Sequence, residues 1–525
     1  MFFLSFFVLI FLIYGQSLTG GFVFDDRGII EHSELLSNLG NLKETALYPY
    51  WTVEAGLYRP VTLLSYSFNF IFLGSSPAGF HFINLLLYLA ICISIYFLIK
   101  KLFRNGWLAY LVALLFLVLP IHTEVVANIT GRSELLALLF SLLVLLEFTR
   151  EKVVAWRIGL WLLLAIGSKE TAIAAIPLAL MVLAIKERES WLGSVKRHFK
   201  GLTALVVATS LYFFMRFIVL GPTHFFGVKT SLIENPLIFA DIPARFATAS
   251  SILWMYVQKL FWPVNLCSDY SYNQIPVIHS FLNLEVILGL VILFGAVAVI
   301  IMCFRKRSAI SFGAAIFLFS FLPVSNILFP VGTIAGERLF FFPSLGFALV
   351  VAVGLYALLS KSVNKNSRIA VLIMIVLVLL SYGFLAFKRQ TVWLSEEKLF
   401  LSAVECSPNS VLSRSNAGAA YLFMGNLERA AEELEISRAI KPIYSKGLNN
   451  LGLVYWKQGE NREAENLYMQ SLQQEFPYYG AIENLVLLYL SERDYTKARH
   501  WLQVLYPNNE KLVDSIIQNS QEVSD

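Results

Sequence analysis

The sequence predicts an all-α protein in two parts: a polytopic transmembrane helical bundle of about 11 spans, then an α-solenoid of short helical repeats. Three observations carry that prediction. Hydrophobic residues make up 57% of the 525 and charged residues 15%, and the mean hydropathy is +0.66; a soluble domain is about a quarter charged. Apolar runs close to the length of a membrane crossing recur as far as residue 387. Beyond residue 390 the chain turns polar and a 34-residue period begins. The net charge of +5 is too small to argue for nucleic-acid binding. Cys92, Cys267, Cys303 and Cys406 show neither CxxC nor Cys/His spacing, so neither a disulfide framework nor a zinc site is indicated.

The first run, Met1 to Leu18, has no charged side chain. It lacks a basic n-region and a small-x-small cleavage site, and is read as a retained anchor. Residues 19–79 form the first extracytoplasmic loop, in which Trp51, Tyr58-Arg59-Pro60 and the mixed run 61–73 suggest interfacial helices. Apolar runs follow at 80–99, 107–119, 133–149, 158–167, 171–185, 201–220, 284–304, 308–328, 338–358 and 369–387. The runs 107–119 and 158–167 fall short of the roughly 20 residues of a full span, so their outer ends are expected inside a cavity.

Basic loops set the sidedness. Lys100-Lys101-Arg104, Arg150-Lys152-Arg157, Lys186 to Lys200, Arg305-Lys306-Arg307 and Lys361 to Arg368 belong on the cytoplasmic side. The loops carrying Asp25, His122 to Glu134, Lys169-Glu170 and Glu337-Arg338 then face outward, with the C-terminal part. Residues 244–262 are long enough to cross, but a single crossing there would reverse the later basic loops, so the run is read as re-entrant, interfacial or half of a hairpin. The membrane part spans 1–390. In 391–525, Asn416-Ala-Gly418-Ala-Ala-Tyr421 aligns with Asn450-Leu-Gly452-Leu-Val-Tyr455 and Asn484-Leu-Val-Leu-Leu-Tyr489. Small residues at helix crossings and Pro408 and Pro442 at repeat ends make this a tetratricopeptide array, with repeats at about 413–446, 447–480 and 481–514.

The polar motifs sit where spans meet water, where ionisable groups usually mark a site. Asp25-Asp26 follows the first span; either carboxylate could serve as general base toward a hydroxyl, with its neighbour orienting it. His122 and Glu124 are candidates for sugar hydroxyls and Arg132 for a phosphate. On the structural reading of that turn, Ser133 caps a helix and Glu134 complements its dipole. Asn128-Ile-Thr130 matches a glycosylation sequon too close to the membrane to count. Lys169-Glu170 is either a buried ion pair or part of a cavity lining. Glu337-Arg338, ahead of Leu339-Phe-Phe-Phe, suits an anionic lipid headgroup. The chain lacks P-loop, Rossmann, GxSxG and HExxH motifs, so a soluble nucleotide donor or serine-hydrolase chemistry has no support.

The order of these motifs resembles a known family. FVFDD after the first span, YRP, FHFIN at Phe80 to Asn84, HTEVVANITGRSELL, SKE, GERLFFFPSLGF and Trp393 before the repeats are similar to the transmembrane and tetratricopeptide repeat-containing O-mannosyltransferases. Those proteins share the architecture of the GT-C class of multispan glycosyltransferases. The resemblance implies transfer of a sugar, typically mannose, from a polyprenyl- or dolichyl-phosphate carrier to a protein Ser or Thr hydroxyl on the extracytoplasmic or lumenal face. It implies Asp25 or Asp26 as base and Arg132, Lys169 and Arg338 as contacts for the phosphate, with Arg59, His122, Glu124, Glu134, Glu170 and Glu337 as supporting groups. Implied partners are the lipid-linked donor, the bilayer and a protein or peptide acceptor in the repeat groove. A divalent cation is compatible with the paired aspartates but not indicated. The short array suggests a bacterial plasma membrane, with the endoplasmic reticulum as the eukaryotic alternative.

Rival classes make different demands. A membrane-anchored scaffold needs no outward charges at several span ends. A transporter favours mid-span charges and internal repeats among its spans. A lipid-linked oligosaccharide polymerase or ligase is the nearest enzymatic rival.

Overall fold

A computed structural model describes residues 2–31, 33–186, 191–225, 230–304, 308–362, 364–474 and 478–522, and all regular structure among them is helical. The basic triplet 305–307 and residues 187–190 of the stretch beginning at Lys186 lie outside the described residues. The chain forms two compact units: Met1–Ser268 with Pro276–Leu399, and Asp269–Ile275 with Phe400–Asp525.

The first unit holds α1 (Phe2–Tyr14), α2 (Pro60–Leu73), α3 (Pro77–Phe103), α4 (Gly106–Val118), α5 (Arg132–Phe148), α6 (Ala155–Ser168), α7 (Ala175–Lys186), α8 (Phe199–His224), α9 (Ile242–Phe261), α10 (Leu284–Phe304), α11 (Ala309–Phe321), α12 (Phe341–Lys361) and α13 (Lys365–Gln390). Among the described residues, seven helical stretches are long and apolar enough to cross a membrane alone. An eighth results if α4 and Pro120–Val126, bent by 58°, form one span. The expected eleven are reached when α6, α7 and α11, of 14, 12 and 13 residues, are added. Each is too short to cross about 30 Å of hydrocarbon unaided. The physical reason lies at their ends, where 3₁₀ turns take over at Glu170–Ala174 and Leu322–Val324. α9 has 20 residues, starts at Asp241, whose carboxylate accepts from the Ala244 N–H at 2.8 Å, and is not among the stretches apolar enough to cross.

Helices in lipid gain little from apolar transfer, so close approach through small residues holds them. A Cβ on Gly346 of α12 would lie 2.3 Å from the Gly313 carbonyl of α11. Around such contacts runs a core that includes Phe6, Tyr88, Phe116, Leu142 and Leu345. At one end of the bundle, α3 closes on Lys100, Lys101 and a left-handed Arg104, and Asn105 caps α4 by accepting from the Leu108 N–H at 3.0 Å. The polar motifs gather at the other end.

In the second unit, helix pairs α14 (Val411–Phe423) with α15 (Leu427–Ile440), α16 (Ser445–Gln458) with α17 (Asn461–Leu472) and α18 (Gly480–Ser491) with α19 (Tyr495–Leu505) precede α20 (Glu510–Glu522). Gly452 shows why the repeat needs a small residue there: a Cβ would lie 2.7 Å from the Tyr468 ring. Of the three repeated asparagines, Asn484 bonds to a neighbouring helix and Asn450 accepts from Asn449 of its own helix. The Asn484 amide donates to Asn449 Oδ1 at 2.8 Å, and the Asn449 amide to Asn450 Oδ1 at 3.3 Å. Asp269–Ile275 belongs to this unit although 144 residues separate Asp269 from Ser413. The Val411 N–H donates to the Tyr272 carbonyl at 2.6 Å, and the Ser410 and Ser413 hydroxyls donate to Asp269 Oδ2 at 2.5 and 2.7 Å.

The cysteine expectation is corrected: Cys267 and Cys406 are disulfide-bonded, and Cys92 is a buried free thiol. Disulfides follow tertiary proximity of Cβ atoms, which spacing in the sequence does not reveal.

Candidate active site

The turn after α1 is built by local geometry. A 3₁₀ turn over Gly15–Thr19 ends where the Gly20 N–H donates to the Ser17 carbonyl at 2.9 Å, and the Gly21 N–H donates to the Leu394 carbonyl at 3.2 Å. Phe24 then takes φ 53°, a left-handed conformation that costs a non-glycine residue about 1–3 kcal/mol and concentrates at functional sites. The Phe24 N–H donates to Glu396 Oε1 at 3.3 Å, and Arg27 lies 3.2 Å from the same carboxylate.

The two aspartates that follow differ. Asp26 is fully buried. Its Oδ2 accepts from the Val23 N–H at 3.2 Å and its Oδ1 from the Thr130 N–H at 2.9 Å, tying this turn to the one before α5. Burial pushes the Asp26 carboxyl up to about 7, against the pull of those two N–H donors. Asp25 is partly exposed, and no described residue hydrogen-bonds its carboxylate. Burial raises its pKa, Arg338 and Arg59 oppose the rise, and Glu124 and Glu234 reinforce it.

Those two arginines are each held by one carboxylate. Arg338 gives its backbone N–H to Glu124 Oε2 at 2.9 Å and Nη1 to Oε1 at 2.5 Å. Glu124 is 1% exposed and the Arg338 side chain 31%, so the carboxylate is the anchor and the guanidinium the accessible partner. Arg59 gives Nε to Glu170 Oε2 at 3.1 Å and stacks 4.8 Å over the Tyr50 ring. Neither Nε and Nη2 of Arg338 nor Nη1 and Nη2 of Arg59 has a hydrogen bond among the described residues, which leaves donors suited to an anion. Glu170 also receives Arg216 Nη1 at 3.4 Å, and Arg216 Nη2 donates to the Gly56 carbonyl at 2.6 Å.

Other expected ligands face inward. Arg132 is fully buried and donates to Asn84 Oδ1 (2.9 Å), Asn69 Oδ1 (3.0 Å) and the carbonyls of Phe80 (2.8 Å) and Ser65 (3.2 Å). It also lies over the Tyr66 ring at 4.9 Å. Its donors knit α2, α3 and α5 together. His122 is buried between the Tyr88 hydroxyl, 2.8 Å from Nδ1, and the Ser344 hydroxyl, 2.7 Å from Nε2, which leaves neither ring nitrogen for a sugar. Glu337 Oε1 accepts from the Cys267 N–H at 2.6 Å and is 1% exposed. Lys169 and Glu170 do not pair with each other: Lys169 forms a buried ion pair with Glu134, while Glu170 takes the two arginines. Ser133 is not the helix cap either, since its hydroxyl donates back to the Thr130 carbonyl at 3.3 Å. Asn128 is buried and accepts from the Thr130 N–H at 3.3 Å, so the sequon is structural.

Arg216, Asn69, Glu234 and Glu396 escaped the sequence reading, and Asn84 entered it only as the end of the FHFIN motif. Arg216 carried a usable signal as the one charge within the apolar run 201–220. No group of three or more His, Cys, Asp or Glu poised for a metal occurs among the described residues.

Comparison with known proteins shows what the chain is similar to. Residues 229–298 match the model of "Protein O-mannosyl-transferase TMTC, DUF1736", and residues 60–213 match that of "Dolichyl-phosphate-mannose-protein mannosyltransferase". The chain is similar to the TMTC proteins over most of its length. Protein O-mannosyl-transferase TMTC3 of Homo sapiens is 28% identical over 87% of this chain and 53% of its own length. Protein O-mannosyl-transferase F38B6.6 of Caenorhabditis elegans is 29% identical over 77% and 58%, and TMTC4 of Homo sapiens 28% over 79% and 63%. The chain thus spans just over half the length of the TMTC relatives it matches first. These relatives are animal proteins and lend the bacterial expectation no support. With seven or eight apolar helices of full spanning length among the described residues, the chain is a multi-pass membrane protein.

Proposed function

We propose that this chain is a membrane mannosyltransferase that moves mannose from a dolichyl- or polyprenyl-phosphate carrier to a Ser or Thr hydroxyl of a protein. The observation that carries the reading is the contrast at the end of the bundle. Asp25 has a carboxylate without a hydrogen-bond partner among the described residues, and Arg338 and Arg59, whose charges reach it, keep guanidinium nitrogens without one.

Asp25 takes the proton of the acceptor hydroxyl as its oxygen bonds to the anomeric carbon. The bond from that carbon to the phosphate oxygen breaks, and the carrier phosphate leaves with the electron pair. One displacement inverts the anomeric configuration. Arg338 and Arg59 neutralise the charge that grows on the phosphate, and fixed dipoles of this kind need no reorganisation during the step. Asp26 holds Asp25 in place through Val23 and Thr130. The names of the TMTC relatives and of the dolichyl-phosphate-mannose-protein mannosyltransferase model support the donor and acceptor classes.

The site faces the extracytoplasmic or lumenal side in this reading. The basic loops and the disulfide-bonded Cys267 and Cys406 support it, because disulfides persist in oxidising compartments. The membrane of the endoplasmic reticulum suits the animal relatives. The helical repeats present the protein acceptor. The purified chain, given dolichyl-phosphate mannose and Ser/Thr peptides, should yield hexosylated peptide by mass spectrometry. No transfer from any polyprenyl-phosphate mannose to any such acceptor would refute the reading.

A further inference from the structure

A groove of about 380 Å³ opens between α7 and α8, lined by Ile176, Leu180, Leu202, Leu205 and Val206, with Thr209 and Ser210 at one end. The Thr209 hydroxyl donates to the Leu205 carbonyl at 2.8 Å of its own helix, so this wall offers a ligand almost pure hydrocarbon. The two helices leave this gap because each packs mainly elsewhere, α8 on α6 and α7 on α5 and α11.

The groove has a charged rim. α7 is entered from the Glu170–Ala174 turn and α8 runs the other way, from Phe199 up to His224. Six residues beyond Ser210 on α8, about 9 Å at 1.5 Å per residue, stands Arg216. Six residues before Ile176 on the opposite wall stands Glu170, and the two side chains meet at 3.4 Å. Both walls therefore converge on one ion-paired cluster, whose third member, Arg59, keeps Nη1 and Nη2 without hydrogen bonds among the described residues. A cationic rim over an apolar trough matches an anionic head on a hydrocarbon tail.

We infer that this groove seats the first isoprene units of the lipid-linked donor, with Arg59 taking the phosphate and Glu170 and Arg216 fixing where Arg59 points. The assignment rests on the donor class proposed above. Bilayer acyl chains are as apolar as the groove, so the tail gains no transfer energy on entering it. The gain is positional: a seated tail confines the phosphate beside Arg59 and raises its effective concentration there.

The test compares two carriers in nanodiscs, a full-length polyprenyl-phosphate mannose and a citronellyl-phosphate mannose too short to fill the groove. Leu180→Trp and Val206→Trp, which block the trough, should lower the long-over-short ratio of kcat/KM by about tenfold, equivalent to about 1.4 kcal/mol. Val207→Trp, on the adjoining exposed face of α8, should leave that ratio as in the wild type. A wild type active with both carriers and blocked variants with an unchanged ratio would overturn the groove alone. A wild type inactive with both would overturn the donor class and the groove with it. Wild-type protein also serves where a tryptophan variant fails to fold. A diazirine-bearing polyprenyl phosphate should label residues 176–180 and 202–210, in competition with polyprenyl phosphate but not with phosphatidylcholine. Labelling elsewhere, or equal competition by phosphatidylcholine, would refute the assignment.

Discussion

Two turns at the same end of the bundle carry charges of similar promise and put them to opposite use. In the turn from His122 to Glu134, the arginine, the histidine and both glutamates are closed off by bundle partners: Asn84, Asn69 and backbone carbonyls, Tyr88 and Ser344, Arg338, and Lys169. In the region of Asp25, Arg59 and Arg338, each group has at most one charged anchor, and atoms without hydrogen-bond partners among the described residues remain. A buried polar group must find partners or cost several kcal/mol, so complete satisfaction marks a structural role. Groups held firmly yet incompletely satisfied are those available to a ligand.

The largest break in this contrast should come from Arg132→Ala. It would leave the Asn84, Asn69, Phe80 and Ser65 acceptors of a buried network without their donor, at about 1–3 kcal/mol for each group left unsatisfied. Folded protein should fail to accumulate, as read by size-exclusion chromatography of a tagged chain. Normal yield with weakened donor binding would return Arg132 to the phosphate site.

Arg338→Ala and Arg59→Ala should leave a folded protein that binds the donor roughly 10- to 100-fold more weakly, since a charge-assisted hydrogen bond contributes about 1.5–3 kcal/mol. Arg338→Lys should rescue in part, because a point charge replaces a planar fork. Donor titration in nanodiscs checks both. Unchanged affinity in both alanine variants would move the phosphate elsewhere.

The aspartates should separate by pH. Asp25 acts as a base when ionised and burial raises its pKa, so kcat/KM should fall on the acid side at a pH above the usual carboxylate range. Asp26 contributes to stability instead. Its folded pKa of about 7 lies above the unfolded value near 3.9, so the folded state binds the proton more tightly. Stability from this group is greatest below pH about 4 and declines as pH rises towards 7. Thermal unfolding across that range should lose this slope in Asp26→Asn.

The smallest effect belongs to the solenoid. Asn484→Ala removes one inter-helix hydrogen bond and should lower the stability of the second unit by about 1 kcal/mol, measured by hydrogen exchange in α16 and α18. Exchange unchanged in both helices would remove the asparagine from the packing.

Much of this was legible in the chain. The 34-residue period, the basic loops and the polar motifs at span ends follow from local patterns that one sequence displays. Partners were not legible. Which aspartate is closed off depends on Thr130, 104 residues away, and the inward turn of Arg132 depends on Asn69 and Asn84. Neither the disulfide-bonded cysteines nor the place of Asp269–Ile275 in the second unit has a signature in spacing. Arg216 was legible and overlooked, a single charge in an apolar run.

The most direct measurement sets Asp25→Asn beside Asp26→Asn, with turnover per folded molecule and melting temperature recorded for both. Asp25→Asn should melt like the wild type and lose about 10²–10⁴ in rate, the contribution of a positioned base. Asp26→Asn should shift the melting temperature and lose less than about 10² in rate. Near-normal turnover in Asp25→Asn, or the larger rate loss in Asp26→Asn, would contradict the division of labour between them.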